Sequence, residues 1–134
     1  MQKQIVTSAK SPTTGFTDLQ KPSPLAQAIR CGNMLFLSGQ GPLDPTTRTV
    51  VEGDIEVQTR RTLDNLVGVL EAAGATWKNV VNVRVVLRNV ADFPRFNEVF
   101  QSYLGGEKVT RTCIGGTPHR TGVNVEIDCV AMFA

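Results

Sequence analysis

Arg111 stands in the run Thr110-Arg111-Thr112-Cys113-Ile114, where its neighbours favour strands. Period-2 alternation puts Arg111, Cys113 and Gly115 on one face. A seven-residue link rich in turn formers, Gly116 to Gly122, leads to a second alternating run that carries Glu126 and Asp128. Two such runs joined by a short polar link predict an antiparallel hairpin, folded near His119, with Arg111 and Cys113 level with Val125 to Ile127. A fixed guanidinium beside a thiol, a glycine and a carboxylate suits a small carboxylate ligand, because arginine grips that group with two parallel hydrogen bonds. The plain alternative is a solvated strand arginine paired with a surface acid.

Two further places carry chemistry-bearing types. Ser38-Gly39-Gln40-Gly41-Pro42 closes an apolar run; its glycines leave room for a ligand near the main chain, and its serine offers a donor, although glycine there also reads as a simple bend. Asn97 falls on or beside the aromatic face of a helix, where a buried amide needs partners; capping a loop carbonyl is the ordinary role. Cys113 reads as lining rather than nucleophile. Only His119 is near in sequence, and no helix N-terminus is evident to lower the thiol pKa.

The elements that must position these residues follow from periodicity. Gln4 to Ser8 reads as a short strand, and Ala9 to Pro24 as a Ser/Thr/Pro/Gly-rich loop. Ala26 to Arg30 and Met34 to Ser38 form a hairpin across Gly32-Asn33. A helix starts at the N-cap Asp54, carries the stripe Leu63, Leu66, Val67, Leu70 and Ala73, and stops at Gly74. Arg60, Arg61, Asp64 and Glu71 lie off that stripe and read as solvated. Val81, Val83, Val85 and Leu87 alternate on one face of a strand; Val80, Asn82, Arg84, Val86 and Arg88 make a half-polar second face suited to another subunit. A second helix begins at Asp92-Phe93-Pro94, aligns Phe93, Phe96, Phe100 and Tyr103, and ends at Gly105-Gly106. The order β β β α β α β β predicts an α+β domain, a mainly antiparallel sheet with two helices on one face.

Composition narrows the classes. At 134 residues the chain reads as one domain, 1–134, with 1–24 a partly loop-like N-terminal segment. A net charge of +2, with no basic run longer than Arg60-Arg61, gives little footprint for nucleic acid. Cys31, Cys113 and Cys129 form no CxxC pair and sit in apolar surroundings, which suits reduced thiols in the cytoplasm. One histidine argues against structural zinc, and no membrane span or leader is evident.

Several spaced pieces together resemble one family. They are GNMLFLSGQGPLDP at 32–45, VVEGDIEVQTRRTLDNLVGVLEAAG at 50–74, VVNVRVVLRNVADFPRFNEVFQSYL at 80–104, and TRTC with VEI at 110–113 and 125–127. In this order they resemble the RidA family, also called YjgF/YER057c/UK114. That resemblance implies a chorismate-mutase-like fold, a homotrimer with sites between subunits, and hydrolysis of 2-enamine and 2-imine acids to 2-oxo acids and ammonia without a cofactor or metal. By position it implies that Arg111 holds the substrate carboxylate and that Glu126 positions the attacking water. Ser38, Gly39 and Cys113 would line the pocket, with Asn97 at its rim. Positioning and electrostatics suffice for so electrophilic a substrate.

The chain departs from the family pattern at three places. Val109-Thr110 replaces the usual Pro-Ala before the arginine, Thr117 to Gly122 replaces an apolar-Pro loop, and Leu25 stands where a pocket tyrosine is often found. Leu25 cannot hydrogen-bond a substrate, so these changes bear on which side group the pocket reads. Three alternatives stay open: a deaminase for a larger aminomuconate-type substrate, a non-catalytic carboxylate-binding or chaperone-like trimer, and a nucleic-acid-directed activity.

Overall fold

The computed structural model describes residues 2–11 and 23–134, so most of the expected 9–24 loop lies outside the described residues. Among the described residues, six strands and two helices follow in the expected order: β1 (Lys3–Val6), β2 (Ala28–Cys31), β3 (Met34–Leu37), α1 (Ile55–Ala72), β4 (Val80–Leu87), α2 (Phe93–Leu104), β5 (Thr110–Gly115) and β6 (Val125–Met132). The first strand is shorter than the expected Gln4–Ser8 and ends at Val6. Cys31 faces Met34 across Gly32-Asn33, and Gly32 supplies the positive φ of 61° that the two-residue turn demands.

The strands form a single sheet in the order β1-β2-β3-β6-β4-β5. Every neighbouring pair is antiparallel except β4 and β5, which run parallel because α2 carries the chain back between them. The expected hairpin between 110–115 and the last strand is therefore not formed. β4 lies between the two, and the 116–124 link steps past its end, held by Gly116 N–H to the Leu87 carbonyl (3.0 Å) and Arg88 N–H to the Asn124 carbonyl (3.0 Å). A polar link of this length can bridge adjacent strands or straddle one, and β4 has the more apolar sequence, so it takes the doubly paired central place. Across β4, Cys113 stands level with Ile127, within the expected span, and Arg111 with Cys129, two residues beyond it.

β4 also corrects the face assignment. A bulge between Val80 and Asn82 inserts Val81 as an extra residue, so Val80 is buried beside Val83, Val85 and Leu87 while Val81 is 40% exposed. Strict alternation cannot anticipate that slip.

Both helices cover one face of the sheet. Leu63, Leu66, Val69 and Leu70 of α1, with Phe96, Val99 and Phe100 of α2, close on Leu35, Val83, Val85, Val125, Ile127 and Ala131. Burying each phenylalanine contributes about 2 kcal/mol against leaving it in water. Asp54 caps α1 by accepting from Val57 N–H (3.0 Å), and Gly105, with φ of 57°, ends α2. Polar residues of α1 are buried as well. Gln58 donates to the Gly122 carbonyl and accepts from Asn124 N–H; Asn65 donates to the carbonyls of Gly41 and Leu43. The side of α1 that carries no leucine thus pins the two loops flanking the end of β6, and Arg61, expected as solvated, is half-buried and donates to Asn65.

Candidate functional site

Arg111 pairs in register with Val83, so its side chain emerges on the helix-covered face at the outer edge of the sheet. There α2 meets it. The guanidinium carbon lies 4.8 Å from the ring centre of Phe100, 5.3 Å from Phe93 and 5.9 Å from Phe96, within range of cation–π attraction. One guanidinium nitrogen donates to Asn97 Oδ1 at 2.7 Å. Among the described residues no carboxylate lies within ion-pair distance of Arg111. The cation is fixed by a neutral amide and aromatic faces, and no described residue pairs with its charge. The surface-ion-pair alternative does not describe it.

Cys113, two residues on, shares this face. Burial pushes its thiol above the ordinary range, and Arg111 draws it partly back, so the thiol stays protonated near neutrality. That suits a lining residue and not a thiolate nucleophile.

Glu126 pairs with Val86 and projects from the opposite, helix-free face. Gln40 continues the sheet against Ile127 through two main-chain hydrogen bonds (2.8 and 3.0 Å), which lays Ser38-Gly39 beside Glu126. A β-carbon on Gly39 would overlap Glu126 Oε1 and stand 3.2 Å from Cδ and 3.3 Å from Cγ. The glycine's room is thus taken by the glutamate itself, not left open for a ligand. The Ser38 hydroxyl donates to the Ala26 carbonyl at 2.6 Å, so this expected donor is already engaged within the chain. Ser38 and Gly39 border a cleft of about 440 Å³ on this open face, together with Asn82, Arg84 and Asp128. Asp128 accepts from Arg84 at 3.0 Å.

The expected site residues therefore fall into two sets on opposite faces of one chain. Arg111, Asn97 and Cys113 gather at the β5 edge, whereas Glu126, Ser38 and Gly39 gather on the open face. Leu25 is 62% exposed and borders neither the cleft at Ser38 and Gly39 nor the depressions at Arg111. His119 is exposed in the 116–124 link. The sequence reading missed the aromatic seat of Arg111. The Phe93, Phe96 and Phe100 stripe was visible, but its place beneath the arginine depends on the parallel β4–β5 pairing. Among the described residues no group of three or more His, Cys, Asp or Glu could hold a metal ion, and no helix is long and apolar enough to cross a membrane.

A six-stranded sheet under two helices, with an arginine on its edge strand that has no carboxylate partner among the described residues, defines an α+β domain. Comparison with known proteins gives the family. The model for the endoribonuclease L-PSP family matches residues 17–133. A RutC family protein of Pyrococcus abyssi is 37% identical over 132 residues, covering 98% of each chain. A 2-iminobutanoate/2-iminopropanoate deaminase of Dermatophagoides farinae is 29% identical, covering 98% of this chain and 97% of that one. Among solved structures, a Thermotoga maritima protein that carries an endoribonuclease name superposes with a TM-score of 0.89 at 36% identity, covering 100% of this chain and 99% of its own. TdcF of E. coli with bound serine superposes at 0.85 with 25% identity, over 98% and 99%. The chain belongs to the RidA (YjgF/YER057c/UK114) family.

Proposed function

We propose that the protein hydrolyses reactive 2-imino and 2-enamino acids to 2-oxo acids and ammonia, in a site completed between two subunits. The observation that carries this reading is the fixed, uncompensated guanidinium of Arg111. It offers the substrate carboxylate a charge-assisted anchor without first having to break an ion pair. The deaminase name of a relative 29% identical over nearly the whole chain, and the serine bound to TdcF, point to small amino-acid-like carboxylates.

Anchored there, the imine carbon needs only a water and a proton path. Water adds across C=N, its oxygen bonding to carbon while nitrogen gains a proton; the carbinolamine then expels ammonia and leaves the 2-oxo acid. Glu126 orients the water and relays the protons, as a positioned carboxylate can. Among the described residues Glu126 has no ion-pair partner. Enamines enter by tautomerising to the imine. Placing Glu126 of one subunit against Arg111 of another resolves their projection from opposite faces, and a cyclic homotrimer supplies that arrangement three times. The half-apolar open face, with Phe36 45% and Met132 39% exposed, suits burial in such an assembly.

The test traps imino acids, released by an amino-acid oxidase, with semicarbazide. Wild type should suppress semicarbazone formation, Arg111→Ala should not, and Arg111→Lys should lose about 10- to 100-fold in rate because it keeps the charge but not the fork. Unchanged trapping with wild type would refute hydrolysis. The second reading, a carboxylate binder without turnover, is favoured by the bound serine in TdcF; it predicts ligand-dependent stabilisation that survives Glu126→Gln and no effect on trapping.

A further inference from the structure

We infer that the site selects 2-imino acids with branched aliphatic or aromatic side chains over small or acidic ones, with Val90 and Ile114 as the specificity-determining residues. The inference rests on the reading that Arg111 holds the substrate carboxylate. It adds which side group the rest of the cleft accepts.

Arg111 stands on the boundary between two depressions. One, of about 320 Å³, is walled by Leu87, Val90, Phe93, Cys113 and Ile114, with Arg111 the one charged side chain among its described lining residues. The other, of about 450 Å³, includes Asn97, Gln101, Glu107 and Lys108 in its wall. On the polar side the guanidinium is already engaged, since Asn97 takes its hydrogen bond. A carboxylate that meets Arg111 from the apolar side meets no competing partner, and its side chain then lies along hydrocarbon. The volume is at the low end for small-molecule sites, about 300–1,000 Å³, the scale of an amino-acid-sized ligand.

The rim of that cleft is unusual for a solvent-facing surface. Val90 is 65% and Ile114 50% exposed, and both border the opening, Ile114 from the edge strand, where its pairing with Val86 turns its side chain towards the open face. Their arrangement is built into the backbone. A β-carbon on Gly115 would stand 2.6 Å from Val90 Cγ1, so glycine there is what lets Val90 lie against β5 and close the end of the cleft. Cys113 adds a neutral thiol to the floor. An acidic side chain would be desolvated against this wall with no donor to receive it, and a methyl-sized one would leave the wall wet. A branched or aromatic group covers it.

Binding and turnover are measured separately on the full chain. By calorimetry, 4-methyl-2-oxopentanoate should bind about tenfold tighter than pyruvate, and 2-oxoglutarate weakest, as expected for a few added carbons in a half-open apolar cleft. The double variant Val90→Ser/Ile114→Ser should bring the first two affinities within about twofold, chiefly by weakening 4-methyl-2-oxopentanoate. Both residues are exposed in the chain, and a urea denaturation curve beside the binding assay checks that the variant folds. The same ordering should appear in kcat/KM for the corresponding imines. Tighter binding of pyruvate or 2-oxoglutarate, a preference that survives the double substitution, or no binding of any 2-oxo acid would each overturn the inference. A preference in binding without hydrolysis of any imine would support it and overturn the deaminase reading alone. Hydrolysis without side-chain preference would do the reverse.

Discussion

Gly39→Ala isolates the position of Glu126 from its chemistry. The added methyl would overlap Glu126 Oε1 and crowd Cδ and Cγ at 3.2 and 3.3 Å. Restoring an ordinary contact of about 3.4 Å moves the carboxylate oxygen by roughly 1 Å, a misplacement that costs on the order of 10²-fold in a positioned reaction. The displaced group is the far end of a flexible side chain, and Gly39 is not among the glycines with positive φ. Folding should therefore be nearly untouched: the strain is offset by the lower unfolded-state entropy of alanine, and the net change stays within about 1 kcal/mol. The assay is imine trapping beside urea denaturation, with Glu126→Gln as reference. The account expects kcat/KM to fall about 100-fold, close to the Glu126→Gln loss, at unchanged stability. Full activity in Gly39→Ala while Glu126→Gln is inactive would refute the claim that Gly39 sets the carboxylate's place.

Two further outcomes follow from the same packing. Burial pushes the Cys129 thiol from the ordinary 9.0 to about 12, with Asp128 adding to the shift. The folded state then holds a proton that the unfolded state releases, so this stability is complete below pH 9 and is lost as pH rises from about 9 towards 12, on the order of 4 kcal/mol in all. Tyr103, raised to about 12 chiefly by burial, acts with the same sign from a higher starting pH. Urea titrations of Cys129→Ala should be flatter than wild type between pH 9 and 10; parallel curves would contradict this. On the open face, Phe36→Glu puts a charge into the half-apolar surface assigned to subunit contact. It should lower the assembled fraction in light scattering and abolish trapping activity together, whereas an active monomer would contradict the shared site.

Much of the fold was legible because its signals are local. Asp54, Gly74 and Gly105-Gly106 bracket the helices, Gly32-Asn33 fixes the first hairpin, and the leucine and phenylalanine stripes mark the buried faces. The misreadings were non-local. Nothing within 110–128 states that β4 inserts between β5 and β6, because straddling and adjacent links need the same polar residues. The bulge at Val81 depends on how β4 meets β6. Arg111 stood out through its apolar company, yet its aromatic seat arises only when α2 crosses back over the sheet. Glu126 and Gly39 each looked ordinary; their mutual fit lies in a strand extension whose partners are almost ninety residues apart. The split of the site over two faces follows from sheet register, which the sequence pattern left unfixed.

The central claim is that Arg111 of one subunit and Glu126 of another make one site, and subunit mixing tests it directly. Arg111→Ala and Glu126→Gln are each expected to be inactive alone. Unfolded together in equal amounts and reassembled at random, they should recover about a quarter of wild-type activity, because one site in four combines an intact arginine with an intact glutamate in a cyclic assembly. Recovery near that fraction supports the shared site. No recovery from mixed assemblies, shown by mass spectrometry to contain both chains, would contradict it.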